Sequence, residues 1–205
     1  MSLLTSIGSV VAAGMIVGAE SGMRILYGER YAGSGWILAW IVAAVTFRTL
    51  RIGPALAAIA HADTKNQLLS NMARATSLVP AFYFAVSGSS LETIAACGLI
   101  GELLSLWVNV LRLRRRNGVP YSATLWPALW LSVVLGSSGL LFWEFTGTAT
   151  PIVAGMVAVA ASILAASASA VVLPELRREC RQIWSAFQVS GYRGAVGALV
   201  GKTLR

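Results

Sequence analysis

The chain reads as an all-α polytopic integral membrane protein, with six transmembrane helices in one bundle and a C-terminal amphipathic helix. Three observations predict this class. Of its 205 residues 57% are hydrophobic and only 12% charged, where an ordinary globular domain carries roughly a quarter charged. The charges are clustered, and the apolar runs between clusters reach the ~20 residues that a helix needs to cross a bilayer. Most of these runs lack the polar face at helical period that a soluble helix would show.

Taken in order, the first span covers about residues 3–26. "MSLLTSIGSVVAAGMIVGAESGMR" has no basic n-region, and its apolar part is too long for the core of a cleavable signal peptide. "YGERYAGSG" then turns the chain. The second span runs from about 35 to 60, with Trp36 and Trp40 at the aromatic belt. "HADTKNQ" leads into a third span, about 67–86, which "SGSS" closes. The fourth, about 91–111, opens on Ser89-x-x-Glu92, a pattern that satisfies free N–H groups at a helix start. After "RLRRRNGVPYS" comes the fifth, about 123–143, with Trp126 and Trp130 near one face and Trp143 near the other. The sixth, about 150–173, starts at Thr150-Pro151, an N-cap followed by proline at the first helical position, and stops before Pro174. Residues 1–173 therefore form a membrane domain and residues 174–205 a basic tail.

Cations orient the bundle. The loops after the second and fourth spans and the tail hold eleven: Lys65, Arg112, Arg114, Arg115, Arg116, Arg177, Arg178, Arg181, Arg193, Lys202 and Arg205. The opposite side holds Arg24 and Arg30. Positive-inside asymmetry then puts both termini in the cytoplasm, with the protein multi-pass in the cell inner (cytoplasmic) membrane. The net charge of +8 is topological, and with no basic soluble domain to carry it no nucleic-acid partner is expected. In the tail, Leu176, Cys180, Ile183, Trp184 and Phe187 recur at helical spacing among arginines, the pattern of a helix lying in the headgroup region. "GALVGKT" resembles a phosphate-binding loop but has Val196 where the motif needs glycine. Cys97 and Cys180 are read as free thiols, without metal-ligand spacing. No metal or cofactor is expected.

Four charged residues fall inside the spans: Arg48, Arg51, Arg74 and Glu102. Arg48 lies roughly 20 Å into its helix at ~1.5 Å per residue, near the bilayer centre, with Arg51 almost a turn further on. A midplane charge facing lipid costs at least ~3 kcal/mol, so these side chains are expected to look inward. Two readings stand. In one, Arg48 or Arg51 pairs with Glu102 to lock two spans while Arg74 snorkels to the cytoplasmic surface. In the other, the arginines form the cationic wall of a cavity for an anionic substrate, since guanidinium grips phosphate through two parallel hydrogen bonds. An enzyme is not expected: His61, Asp63 and isolated glutamates offer no acid–base pair at helical spacing.

The order of pieces resembles a family. "RILYGERYAGSG" is similar to the turn of polysaccharide flippases (the lipid-linked oligosaccharide, O-antigen type) in the multidrug/oligosaccharidyl-lipid/polysaccharide exporter superfamily. "FRTLRIGPALAAIAHADTKNQLLSNMAR" and "GLIGELLSLWVNVLRLRRR" resemble the helices that follow. The resemblance covers residues 20–116 best and corresponds to the C-terminal part of such proteins. It implies flipping of polyprenyl-diphosphate-linked oligosaccharide for surface polysaccharide, by two lobes rocking about a central cavity. Complete members have twelve to fourteen spans by that same comparison, so one lobe is expected here. Its partners would then be membrane lipids, the lipid-linked sugar, and a separate N-terminal lobe or a second copy. A membrane scaffold or an inactive relic are the alternative function classes.

Overall fold

The structure, a computed structural model, describes residues 2–119, 122–145 and 150–173, together with Arg178 and Arg181. The tail helix, Cys180 and the GALVGKT run otherwise lie outside the described residues. The described chain is all α apart from a 3-10 turn at Glu29–Tyr31: α1 Ser2–Val17, α2 Ala19–Tyr27, α3 Gly35–Ala60, α4 Thr64–Ala75, α5 Leu78–Val86, α6 Leu91–Asn117, α7 Ser122–Phe145 and α8 Pro151–Val172.

Among the described residues, four helices are long and apolar enough to cross a membrane: α3, α6, α7 and α8, or five spans if α1 and α2 count as one. Chain architecture thus supports a polytopic, multi-pass helical membrane protein. The second span coincides with α3 at Gly35–Ala60, and the fifth and sixth with α7 and α8 to within two residues. The fourth, α6, continues six residues past its expected end and carries its arginines on helix.

Two expected spans are broken. The first bends by 67° at Gly18, between α1 and α2. Beyond that elbow Ile25, Leu26 and Tyr27 are exposed. The third divides between α4 and α5 at Thr76–Ser77. Pro80 accounts for the break, because its ring clashes with the carbonyl four residues back, at Thr76, and it cannot donate to it. The hydroxyls of Thr76 and Ser77 instead close the α4 end, donating to Ala73 O at 2.7 Å and Arg74 O at 2.8 Å. The α6 cap also shifts by one residue. Ser90, not Ser89, accepts from the N–H three residues on, Thr93 N at 3.4 Å, while Ser89 N donates to Phe84 O in the preceding turn. Thr150 caps α8 as expected, accepting from Val153 N at 3.4 Å.

Two helical groups meet on α3. In the first, α1 packs against α7 and α8; in the second, α6 packs against α3, α4 and α5. Small residues on α1 permit the first: Ser9, Ala12 and Ala13 are almost wholly buried, and small side chains let membrane helices approach closely. Trp36 of α3 meets Phe142 of α7 edge-on at 4.6 Å between ring centroids. It also meets Trp143 at 5.7 Å, so one end of the bundle is aromatic. Phe47 and Leu50 of α3, Leu106 of α6 and Leu131 of α7 form the central apolar contact. Lipid tails are as apolar as these side chains, so cohesion comes from packing and from interhelical hydrogen bonds worth on average ~0.6 kcal/mol each.

Candidate functional site

Helices α4 and α6 run antiparallel and share a seam of polar side chains. At its outer end Arg112 grips the Asp63 carboxylate with two hydrogen bonds of 3.1 Å, and Arg116 stands 3.6 Å away. Asp63 precedes α4 but caps nothing with its side chain. Instead, the Arg112 hydrogen bonds hold its carboxyl below the usual carboxylate range, against the opposing effect of its burial. Further in, Asn66 Nδ2 donates to Asn109 Oδ1 at 2.8 Å. Next, the Ser70 and Ser105 hydroxyls meet at 2.7 Å. All four of these side chains are fully buried.

At the inner end of the seam stands Glu102, with the three span arginines around it. Arg74 Nη1 is 3.4 Å from its Oε1, Arg48 Nε is 3.8 Å from Oε1, and Arg51 Nε is 3.9 Å from Oε2. Arg51 is the anchored member. Its Nη1 donates to Ser105 Oγ at 2.6 Å, Ser70 Oγ at 2.9 Å and Asn71 Oδ1 at 3.1 Å. Arg48 and Arg74 differ from it: their side chains are 56% and 35% exposed, against 9% for Arg51 and Glu102. Among the described residues, Glu102 Oε2 accepts no hydrogen bond.

Gly101 makes this convergence possible. A Cβ there would run into the Ser77 hydroxyl and come within 2.9 Å of Ser77 Cβ and 3.1 Å of Arg74 O. Its absence lets the α4–α5 joint lie against α6, which brings Arg74 within reach of the carboxylate.

Against the sequence reading, all four span charges come together, but two depart from their expected orientations. Arg74 turns to Glu102 instead of snorkelling to the surface, because the helix break and Gly101 bring its Cα close to α6. Arg48 reaches the same carboxylate, yet most of its side chain is uncovered rather than enclosed, because it lies on the flank of α3 away from Ser70 and Ser105. Sequence reasoning missed the rest of the seam. Its signal was present: Asp63, Asn66, Ser70 and Ser77 on one segment, and Glu102, Ser105, Asn109 and Arg112 on the other, recur at intervals of three, four or seven.

The cluster sums to three guanidiniums against one carboxylate. Such a site can bind and orient an anion. Among the described residues, no three His, Cys, Asp or Glu side chains group closely enough to hold a metal ion. The fold and site together define a polytopic α-helical membrane bundle with a cationic cluster inside it. Comparison with protein-family models, curated proteins and solved structures finds no match to this chain.

Proposed function

We propose that the chain is the C-terminal-type lobe of a transporter that flips polyprenyl-diphosphate-linked oligosaccharide across the cytoplasmic membrane. The observation that carries this reading is the surplus of positive charge at Glu102, with two guanidiniums on the open flank of a buried polar seam. A diphosphate headgroup supplies the missing negative charge, and Arg48 and Arg74 are the side chains placed to meet it. Arg51, 3.9 Å from Glu102, is itself held by Ser70, Ser105 and Asn71. In this reading the chain crosses the membrane six times, with α1–α2 and α4–α5 as broken spans. Unwound or broken helices in transporters occur where backbone lines a cavity. Both termini then lie in the cytoplasm, beside the arginine-rich end of α6.

A scaffold without transport activity is the second reading, favoured by the anchoring of Arg51 Nη1. Its hydrogen bonds to α4 and α6 tie three helices together whatever Arg48 and Arg74 do.

Alternating access needs two walls that move relative to each other, and this bundle supplies one. Reconstituted alone into liposomes with a fluorescent polyprenyl-diphosphate sugar, demonstrably monomeric chain is therefore expected to leave the lipid where it is. Translocation is expected only with a first lobe or a second copy, and to fall when Arg48 and Arg74 are replaced by glutamine. Translocation by monomeric chain overturns the one-lobe reading. Translocation indifferent to both arginines overturns the role given to the cluster.

A further inference from the structure

On the face of α6 opposite the polar seam lies an apolar groove of about 420 Å³. Phe47 of α3 lines it, together with Leu103, Trp107 and Val110 of α6 and Leu125 and Leu129 of α7. It exists because α6 and α7 share almost no direct contact and are joined through α3. We propose that this groove binds one acyl chain of an anionic glycerophospholipid, in the leaflet beside the arginine-rich end of α6.

Three observations select that occupant. The first is length. The α6 wall extends from Ile100 to Val110, about 15 Å at ~1.5 Å per residue, half of the ~30 Å hydrocarbon core and so one leaflet. The second is the lining, which is apolar along that whole length, so that a flexible acyl chain can follow it from Ile100 to Val110.

Charge is the third. Leu103, Trp107, Val110 and Arg114 are spaced by four, three and four residues and fall on one stripe of α6. The stripe that lines the groove therefore continues into a cation at the headgroup level, with Arg115 on its flank. Both arginines are exposed. An apolar slot one leaflet deep that ends on guanidinium has the chemistry of an acyl chain ending in phosphate. The site is separate from the Glu102 cluster and does not rest on transport.

The test is native mass spectrometry of the purified full chain in detergent, with phosphatidylglycerol and phosphatidylcholine supplied in equal amounts. One phosphatidylglycerol should be retained per chain in preference to phosphatidylcholine. Replacing Arg114 and Arg115 by glutamine should weaken phosphatidylglycerol about fivefold per arginine, the factor that corresponds to one cation near an anionic headgroup, and leave phosphatidylcholine unchanged. Leu103→Trp should fill the slot and abolish retention of both. Leu129→Trp does the same from the facing wall and serves if the first variant does not fold. Both side chains are exposed. Equal retention of the two lipids overturns the proposal, as does retention undiminished in a folded groove-filled variant.

Discussion

Replacing Glu102 by glutamine removes the one carboxylate around which three arginines gather, and the differing exposure of those arginines makes the consequence measurable. Removing one partner of a buried ion pair costs about 3–5 kcal/mol, because it strands the other charge. Arg51 is the charge stranded, so Glu102→Gln should lower unfolding free energy by about 3 kcal/mol, the lower end, since Ser70, Ser105 and Asn71 still hold the guanidinium. The pairwise parts separate in double-mutant cycles with Arg48→Gln, Arg51→Gln and Arg74→Gln.

At separations near 4 Å two unit charges interact by about 4 kcal/mol in a partly buried setting and about 1 kcal/mol in water. Arg51, 3.9 Å away and buried, belongs to the first case. Arg48, 3.8 Å away and 56% exposed, belongs to the second if its open side faces water. The expected order of coupling is therefore Arg51, then Arg74, then Arg48, with the last below about 1 kcal/mol. Denaturant unfolding in detergent micelles, followed by tryptophan fluorescence, gives each value. Arg48 coupling as large as that of Arg51 would refute the reasoning, because it would mean that no water screens the open side of the cluster.

Two further predictions concern the loops. Because the folded Asp63 carboxyl titrates below its ordinary range of about 3.9, its pairing with Arg112 contributes stability at neutral pH. That contribution is lost only as pH falls from the unfolded value through the lowered folded one. Acid titration of wild type and Asp63→Asn should show the wild type losing its advantage in that window, and parallel curves would count against the pairing. For topology, single cysteines at the exposed Ala32 and Ser87 should label from outside intact cells, and those at Lys65 and Arg115 should not, with Cys97 and Cys180 removed. The reverse pattern would invert the orientation.

The apolar elements were legible in the sequence because a long, mostly apolar segment bounded by polar turns has few alternatives to a spanning helix. That is why Gly35–Ala60 and Pro151–Val172 coincide with their expected bounds. Breaks were less legible. Pro54 and Pro127 sit inside unbroken helices, whereas Pro80, three residues into α5, follows a joint at Thr76–Ser77. What differs is the neighbourhood, two hydroxyl residues in a polar segment, which propensity alone does not weigh. At the site Arg48, Arg51 and Glu102 were visible as anomalies in apolar runs and Arg74 was not, since it sits in a polar segment; nor was their meeting point visible. Convergence depends on Gly101 allowing α4 close to α6, a tertiary fact with no local signature. The serines and asparagines of the seam escaped notice because each is unremarkable singly and only their shared period marks a buried face.

The pairing of α1 with α8 carries a consequence for biogenesis. These helices are among the most extensively packed in the molecule, yet Val17 and Pro151 emerge from the ribosome about 7–27 seconds apart at ~5–20 residues per second. The second helical group, α3 to α6, can assemble during that interval. Throughout it α1 waits in the membrane with the polar and small face it will later bury, Ser2, Thr5, Ser9 and Ala13, which a chaperone or the insertion machinery can shield. Closure of the first group thus waits for α8, which arrives to trap α1.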